Sequence, residues 1–377
     1  MHVLYIMGQN SGGLPHYTAE LANAVSSEAE VTVLKPSETS ADGIFNDDIN
    51  IVNCFDPTSI SMQNIFDLRL SVFKDIKPIL SYRNIKIVEE VDPDIVHDPT
   101  DQFPQVEFFS YFYGTYKTTP YVVTSHEVKH GKSNLLLKIP DFIDWVIPDF
   151  PKDAAVVHSE DQRSALKRKA KSIESVHTIP HGVYDFFTDY DYAEPDQVSN
   201  HALFFGSLIP PKGLRLLVES VPKVVEEIPD FSLTIAGEGN IPDPNGIIDS
   251  YSSAITVRNE FIPNDEVGEL FHKAQLVVLP YREGWQTGHS GTLSTAFAFG
   301  KPVVTTDVGD FQRMVEDSNA GIVVEPEDAD ALAEGIIEVL SDSAGLEKMS
   351  KASAKKADEL SWENIAKEHI EMYAKLI

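Results

Sequence analysis

Short apolar runs alternate along most of the chain with longer stretches in which apolar residues recur at helical spacing. The short runs predict buried strands, and the longer stretches predict amphipathic helices that cover them. The predicted strands are His2–Met7, Val31–Leu34, Ile49–Phe55, Asp94–His97, Tyr121–Thr124, Ala154–His158, Val176–Ile179, His201–Phe205, Phe231–Ala236, Ile255–Phe261, Leu276–Leu279 and Gly321–Val324. Strands and helices that alternate in this way predict an α/β fold of doubly wound parallel sheets.

The predicted helices connect these strands and also close the chain. They are Met62–Glu90 with a break near Pro78, Leu216–Ile228, Asp265–Ala274, Asp328–Ser341, Ala344–Glu359 and Trp362–Leu376. Between Tyr184 and Asn200 the sequence is acidic and aromatic without periodicity, which is typical of a connection between domains. With 377 residues and 42% hydrophobic content, the chain is long enough for two domains with separate cores.

One stretch, Leu276–Val304, predicts a strand, a glycine-bearing loop, a helix of small residues and a second strand. Ser290 can cap that helix, whose first free N–H groups lie near Gly291 and Thr292. Such a helix start at the carboxyl edge of a parallel sheet binds phosphate, because the N–H groups and the helix dipole both favour an anion. An ordinary crossover that needs only a cap and a small residue explains the same pattern, so both interpretations stay open.

Polar groups and glycines follow other predicted strands at the edge where doubly wound sheets bind ligands. The tandem Gly12 and Gly13 precede a predicted helix and allow either close approach of a ligand or a tight turn. Four predicted strands end in a histidine, namely His97, His126, His158 and His181. Their spacing lacks the i, i+4 pair of helical metal sites and no cysteine joins them, so we expect no metal site.

Composition narrows the class of protein further. The formal charge of −29, from 59 acidic and 30 basic residues, argues against general nucleic-acid binding and predicts a strongly hydrated surface. The same acid excess suits a salt-rich cytoplasm, so a halophilic source is one open interpretation. The single Cys54 excludes a disulfide framework, and no apolar run reaches the ~20 residues of a membrane span. We therefore expect a cytoplasmic protein.

Read in order, the motifs resemble the retaining nucleotide-sugar glycosyltransferases of family 4, nearly end to end. The resemblance rests on GGLPHYTAEL, PDIVH, VVTSHE, VVHSE, IPHGV, FFGSLIPPKGL, LTIAGEG, FIPNDEV, LVVLPY, SGTLSTAFAFGKPVVTTDVG and SWENIAKEHIEMY. It implies the GT-B architecture, in which two Rossmann-like domains face each other across a cleft. The implied domains are residues 1–190, which bind the acceptor, residues 198–360, which bind the nucleotide sugar, and residues 361–377, a helix that crosses back to the first domain.

The resemblance also assigns residues to the donor. Lys212, in PPKG, matches the lysine that binds the diphosphate, and its charge offsets that of the leaving group. His126 matches the histidine beside the transferred sugar and is the second implied catalytic residue. The remaining implied donor-binding residues are Gly12, Gly13, Gly237, Phe261, Ile262, Ser290, Gly291 and Thr292, with Phe261 and Ile262 beside the nucleotide base.

Two departures separate this sequence from the usual family pattern. Thr287 and Thr295 occupy the positions of two common glutamates, and no arginine precedes Lys212 in its loop. A branch of the family with Ser-Gly at this helix start also lacks the acids, so the loss does not show inactivity. Glu238 or Glu283 can supply one carboxylate instead, and a solvated loop acid explains either residue as well.

The predicted function is therefore transfer of a hexose, with retention and without a metal or other cofactor, from a nucleoside diphosphate sugar to a glycan or lipid-linked acceptor. A catalytically weak relative that binds nucleotide or glycan as a partner subunit is the alternative. An epimerase or phosphorylase of the same architecture is a third class, which no feature of the sequence favours. The sequence does not identify the sugar, the base or the acceptor.

One basic run interrupts the acidic chain, with Arg163, Lys167, Arg168, Lys169 and Lys171. Cations near an anionic bilayer contribute about 1 kcal/mol each, so the run predicts peripheral contact with the inner face of the cell membrane. A solvated helix balanced by nearby acids is the alternative. Membrane contact suits a lipid-linked acceptor.

Overall fold

The computed structural model of the protein describes residues 1–57, 72–101, 103–126, 151–169, 172–191, 195–283 and 290–377. Thr287 and Lys171 lie outside the described residues. The chain divides into two compact units. The N-terminal unit comprises Met1–Gly182 and Trp362–Ile377, and the C-terminal unit comprises Val183–Ser361.

The N-terminal unit is built on a seven-stranded parallel sheet in the order β3-β2-β1-β4-β5-β6-β7. Its strands are β1 (His2–Ile6), β2 (Glu30–Pro36), β3 (Asn50–Phe55), β4 (Ile95–Asp98), β5 (Tyr121–Thr124), β6 (Lys152–Val157) and β7 (Ile173–Thr178). The described helices that precede the C-terminal unit in the chain are α1 (Gly13–Ser26), α2 (Val72–Ser81), α3 (Val88–Val91), α4 (Pro104–Tyr113), α5 (Thr115–Thr118) and α6 (Glu160–Lys169).

The C-terminal unit is built on a six-stranded parallel sheet in the order β10-β9-β8-β11-β12-β13. Its strands are β8 (His201–Phe205), β9 (Ser232–Ala236), β10 (Ile255–Arg258), β11 (Leu276–Leu279), β12 (Val303–Thr306) and β13 (Gly321–Val324). Its helices are α7 (Leu214–Glu227), α8 (Ile247–Ser250), α9 (Asn264–Lys273), α10 (Gly291–Ala298), α11 (Ala329–Ser341) and α12 (Ser343–Glu359).

Each sheet is covered on both faces, as buried parallel strands require. In β1, Val3 and Tyr5 join one core cluster, whereas Leu4 and Ile6 join the other. Alternate residues of β8 divide in the same way between the layer of α7 and α11 and the layer of α9 and α10. The doubly wound α/β prediction is confirmed for both units.

The last helix, α13 (Trp362–Leu376), belongs to the N-terminal unit although it follows the C-terminal unit in sequence. Its buried residues include Trp362, Ile365 and Tyr373, which pack in the same cluster as Val3 and Tyr17. The apolar face at helical spacing thus covers one layer of the N-terminal sheet.

The expected break near Pro78 is wrong in its position. Pro78 lies inside α2, where its missing N–H removes only one backbone bond, and the chain leaves α-helical geometry at a 3₁₀ turn, Tyr82–Ile87. Tyr82 and Ile85 are fully buried there, and the Tyr82 ring stacks on Phe55 with ring centroids 4.5 Å apart. Tertiary packing rather than the proline therefore decides where this helix ends.

Candidate functional site

The strand order of the C-terminal unit defines where a ligand is expected. The two central strands of this sheet are β8 and β11. The chain adds β9 and β10 on the outer side of β8, and it adds β12 and β13 on the outer side of β11. The loops that leave the carboxyl ends of β8 and β11 therefore separate at this point, which is the usual binding crevice of open α/β sheets. The first loop leads through Gly206 to Lys212, and the second leads to Ser290.

Lys212 ends a 3₁₀ turn, Pro210–Lys212, and its side chain returns over the end of β8. A Cβ atom placed on Gly206 would lie 2.7 Å from Lys212 Nζ and 3.3 Å from Thr292 Oγ1. Gly206 also has a φ of +109°, a conformation that other residues rarely adopt. Glycine at this position thus leaves room for the ammonium group of Lys212 beside the first turn of α10.

Unlike the neighbouring arginines, Lys212 has no carboxylate partner among the described residues. Arg215 pairs with Glu219, and Arg282 pairs with Glu327, each at 2.9 Å. Lys212 is half-buried, lies 5.8 Å above the centre of the Tyr281 ring, and forms no ion pair within the described parts of the chain. A cation in this state is available to an anion from solution.

The start of α10 lies next to Lys212 and is capped as predicted. Ser290 Oγ accepts a hydrogen bond from the Leu293 N–H at 3.3 Å and lies 3.0 Å from the Tyr281 hydroxyl. The Thr292 hydroxyl donates to the carbonyl oxygen of Phe205 at 3.2 Å, which ties the helix to the end of β8. No acidic residue stands in the first turn, so the helix dipole and free N–H groups favour an anion there.

Gly291 has a structural reason to be small. A Cβ atom added to it would lie 2.7 Å from Cε2 of Tyr184. A valine at this position would displace the tyrosine whether or not a phosphate binds. The expectation that Gly291 admits a ligand stays a prediction, and substitution of Gly291 does not test it.

Gly237, Phe261 and Ile262 lie on the neighbouring loops at the same edge of the sheet. The Gly206 N–H donates to Ala236 O, and the Gly237 N–H donates to Arg258 O, both at 3.0 Å, so the ends of β8, β9 and β10 form one continuous rim. Phe261 is 72% exposed beyond this rim, whereas Ile262 is buried in the core with Val267. The ring of Phe261 is thus accessible to solvent, Ile262 anchors the loop in the core, and the expected place of both residues beside a nucleotide base stays a prediction.

Gly12 and Gly13 occupy the corresponding position in the N-terminal unit, after β1 at the switch between β1 and β4. Gly12 caps α1, Gly13 is its first residue, and both are exposed. The carbonyl oxygen of Gly12 lies 3.0 Å from His16 Nδ1 and accepts from the Ser40 hydroxyl at 3.3 Å. These bonds hold the loop while its outer surface stays open to solvent.

His126 is buried, and its ring is occupied by other protein groups. Its Nε2 donates to the carbonyl oxygen of Pro99 at 2.9 Å, and its Nδ1 lies 3.1 Å from His158 Nε2. Burial lowers the pKa of His126 to about 3, so the ring is neutral at pH 7. The role of His126 beside a transferred sugar stays a prediction, and in this arrangement neither ring nitrogen is available for a sugar hydroxyl.

The other strand-end histidines are buried in the same part of the N-terminal unit. His97 Nδ1 lies 2.6 Å from the Tyr373 hydroxyl and Nε2 lies 2.8 Å from Thr124 Oγ1. His158 Nδ1 donates to Ile179 O at 3.0 Å, and the rings of His126, His158 and His181 surround Tyr17. Burial lowers the pKa of His158 to about 4 and that of His97 well below its usual value. Among the residues that the structure describes, no group of histidines, cysteines and acids is arranged to hold a metal.

Sequence reasoning missed three residues of this site. Tyr184 lies in the stretch whose composition predicts a connection between domains, and Tyr281 follows a strand without any recognisable spacing to Ser290. Gly206 carried a usable signal, because a glycine directly after a predicted strand marks close approach. The two tyrosines carried none, since their contacts depend on packing.

Part of the chain matches known proteins in sequence. Residues 199–342 match the family model described as glycosyl transferases group 1. An uncharacterized glycosyltransferase of Methanocaldococcus jannaschii is 32% identical over 178 residues, which are 45% of this chain and 44% of that protein. A phosphatidyl-myo-inositol mannosyltransferase of Mycobacterium tuberculosis is 29% identical over 178 residues, 45% of this chain and 46% of that protein. The matches thus span less than half of these relatives.

Solved structures resemble the chain over its whole length. Sucrose-phosphate synthase from Thermosynechococcus elongatus is 16% identical with a TM-score of 0.71. The superposition covers 100% of this chain and 99% of the synthase chain. Anabaena HepE in complex with UDP and glucose is 13% identical with a TM-score of 0.69, and 100% of both chains is covered. At these identities the likeness shows the fold, a two-domain α/β fold of the GT-B type. Within the described residues, no helix is both long and apolar enough to cross a membrane.

Proposed function

Because residues 199–342 form a domain of the glycosyl transferases group 1 family, we propose that this chain is a glycosyltransferase whose C-terminal unit binds a nucleoside diphosphate sugar. One observation carries the proposal. The Lys212 ammonium, without an ion pair among the described residues, lies beside the first turn of α10, where the loops after β8 and β11 separate. A diphosphate needs just such a combination of charge and N–H donors.

Two groups of the chain act on the leaving group in this proposal. Lys212 and the first N–H groups of α10 bind the diphosphate oxygens and stabilise the charge that develops when the sugar–oxygen bond breaks. These positive groups do the work that a metal ion does in other transferases, so the proposed reaction needs no metal or other cofactor. Phe261, exposed at the rim, packs against the base.

The finer details rest on the family 4 resemblance. We propose retention at the anomeric carbon and a hexose as the transferred sugar, and the HepE structure with UDP-glucose gives one example of a donor in this fold. Thr295 cannot replace the family's glutamate, because it is 1% exposed and its hydroxyl donates to Gly291 O at 3.0 Å. Glu238, between Gly237 and Gly239 on the rim, and Glu283 are both exposed and are the two candidate substitutes.

The acceptor is proposed to be lipid-linked, or a glycan, and to be reached at the inner face of a membrane. Lys167 and Arg168 are exposed on α6, and Phe108, Tyr111 and Phe112 are 40%, 40% and 69% exposed on α4. Both helices pack on the same face of the N-terminal sheet, through Val106 and Leu166. Exposed aromatic and basic side chains on one face favour the headgroup region of an anionic bilayer. The mannosyltransferase relative is itself named for a phosphatidyl substrate.

A second candidate function follows from the missing acids. Position 295 carries a threonine where the family commonly has a glutamate. A chain that binds nucleotide through Lys212 without that carboxylate can serve as a catalytically weak binding subunit. Calorimetric titration with UDP and GDP, followed by hydrolysis assays with a panel of their sugar derivatives, separates the two functions. Binding with slow donor hydrolysis supports the transferase, whereas binding without any turnover supports the subunit. Absence of binding to either nucleotide would contradict both.

The membrane contact has its own test. The protein is expected to co-sediment at low salt with vesicles that contain anionic phospholipid and not with neutral vesicles. Changing Lys167 and Arg168 to glutamate should release it, because charge attraction to the surface is lost. The matched control changes Lys351 and Lys355, two exposed lysines of α12, to glutamate. Equal release by both double variants would show a general effect of charge and remove the assignment to α6.

A further inference from the structure

A cavity opens in the C-terminal unit beside the proposed diphosphate site. It has a volume of about 430 Å³, and its lining includes Ile209 and Pro210 but neither Lys212 nor Ser290. Its polar lining residues are Arg215, Glu219, Asn240, Arg282 and Glu327. We call this space the side cavity. It lies within the range of ~300–1,000 Å³ that is typical of small-molecule sites.

Hydrogen bonds between loops at the carboxyl edge of the C-terminal sheet hold the walls of the side cavity in place. The Arg282 N–H donates to Pro211 O, and the Asn240 N–H donates to Leu208 O, both at 2.9 Å. The Arg282 side chain then reaches Glu327, two residues before the first residue of α11. Loops that follow four different strands thus meet at one place, and their mutual bonds make the cavity a preformed feature of the fold.

The charges of the lining compensate each other. Arg215 pairs with Glu219 and Arg282 pairs with Glu327, so two cations face two carboxylates and the lining has no net charge. A phosphate gains little from such a lining, because each guanidinium already has a carboxylate. Hydroxyl groups gain more, since they donate to the carboxylates and accept from the guanidinium N–H groups at the same time.

Apolar surface completes the lining. Leu214 and Leu216 are 3% and 9% exposed at the start of α7, and Ile209, Pro210 and Pro242 contribute further apolar atoms. Hydrophobic walls with a small number of fixed polar groups are the usual composition of a ligand site. A sugar ring has the matching surface, with hydroxyl groups at its rim and C–H groups on its faces.

We propose that the side cavity binds one or two neutral sugar units, separately from the nucleotide. The site goes beyond the proposed transfer reaction, because it requires neither a diphosphate nor the Lys212 ammonium. The turn Pro210–Lys212 is nevertheless shared, since Pro210 lines the cavity and Lys212 ends the same turn. A sugar bound here contacts the turn that positions the diphosphate-binding lysine.

Saturation-transfer NMR on the full chain tests the proposal, with methyl α-glucoside, methyl α-mannoside and maltose as probes. At least one sugar is expected to receive saturation, both alone and with excess UDP, and Lys212→Ala should leave this signal unchanged. Inorganic phosphate should not displace the sugar. Displacement by UDP or phosphate would overturn the assignment of a separate neutral-sugar site, as would silence from all three sugars.

Variants of the lining locate the binding. Arg282→Ala and Glu219→Gln should each raise the dissociation constant of the sugar at least tenfold, and Glu219→Gln does so without removing side-chain volume. Arg313→Ala is the matched control, because Arg313 pairs with Asp310 and is 54% exposed, the same fraction as Arg282. Unchanged affinity in both lining variants would overturn the proposal, and so would an equal loss in Arg313→Ala.

Discussion

The carboxyl edges of the two sheets use polar strand ends in opposite ways. In the C-terminal unit, the half-buried Lys212 lies beside the start of α10 and forms no ion pair among the described residues. In the N-terminal unit, His97, His126 and His158 are buried at 0%, 7% and 3% exposure and bond to other protein groups. A polar group at a strand end therefore predicts where a side chain lies but not whether it faces a ligand.

The difference comes from what covers each edge. Helix α13 supplies Tyr373 to His97, and Tyr17 of α1 lies among His126, His158 and His181. The polar groups of the N-terminal edge thus become a hydrogen-bonded part of the core, which is the condition under which polar groups can be buried. We infer that these buried groups contribute to stability, whereas Lys212 is proposed to contribute to binding.

The largest expected effect is on the covered edge. Trp362→Ala should lower the free energy of unfolding of the N-terminal unit by about 3–5 kcal/mol, because the indole is 5% exposed and packs on Tyr17 and Gly182. Hydrogen exchange followed by peptide mass spectrometry should show faster exchange in Met1–Gly182 than in wild type and little change in Val183–Ser361. Trp362→Phe, the control, should lose less. Equal losses in both units would contradict the assignment of α13 to the N-terminal unit.

The open edge should respond in binding rather than in stability. Lys212→Ala should reduce donor turnover about a hundredfold, since removing a preorganised charge costs about 3 kcal/mol in the transition state. Thermal unfolding should stay close to wild type, because Lys212 forms no ion pair among the described residues. Lys223→Ala, which removes a partly exposed lysine paired with Glu334, is the control. Turnover that survives in Lys212→Ala would remove this residue from the proposed site.

A third prediction uses the protonation of the covered edge. His369 Nδ1 donates to Ile365 O, and burial lowers the pKa of His369 to about 4 from about 6.5 when unfolded. Between these values the unfolded chain binds a proton that the folded chain does not, so stability falls as the pH drops. His369→Leu removes this loss and should gain up to about 1.4 kcal/mol per pH unit relative to wild type from pH 6.5 towards pH 4.

Burial raises the pKa of Asp98, so this carboxyl makes the protein more stable as the pH drops, opposite to His369. The variant is compared with wild type because both share the contribution of Asp98. Denaturant unfolding at several pH values measures the difference directly. Met372→Leu, a buried change on the same helix without a titratable group, should run parallel to wild type. A His369→Leu difference that is independent of pH would show that the imidazole does not titrate as expected.

The smallest expected effect is at the cap of α10. Ser290→Ala removes the acceptor of the Leu293 N–H and should cost about 1 kcal/mol of stability in the C-terminal unit. Nucleotide affinity should fall as well, because the same helix start holds the diphosphate in the proposed site. Ser343→Ala, at the first residue of α12, is a control that leaves α10 intact. Lost stability with unchanged UDP affinity would return this cap to a purely structural role.

Much of the fold was determined by the sequence alone. The strands His201–Phe205 and Leu276–Leu279, the helix Trp362–Leu376 and the Ser290 cap have the predicted bounds. These features follow from hydrophobic periodicity and from hydrogen bonds between residues a few positions apart, which the order of residues shows directly. The order of the predicted strands also shows which strand-end residues belong to the first sheet and which to the second.

Only the tertiary structure decided what those residues do. His97 meets Tyr373 across 276 positions of sequence, Gly291 is kept small by Tyr184, and Lys212 returns over Gly206. Burial, the pKa of a histidine and the availability of a cation all depend on such distant neighbours, and no local pattern specifies them. Polar residues at strand ends could therefore become a buried core in one unit and the proposed binding crevice in the other.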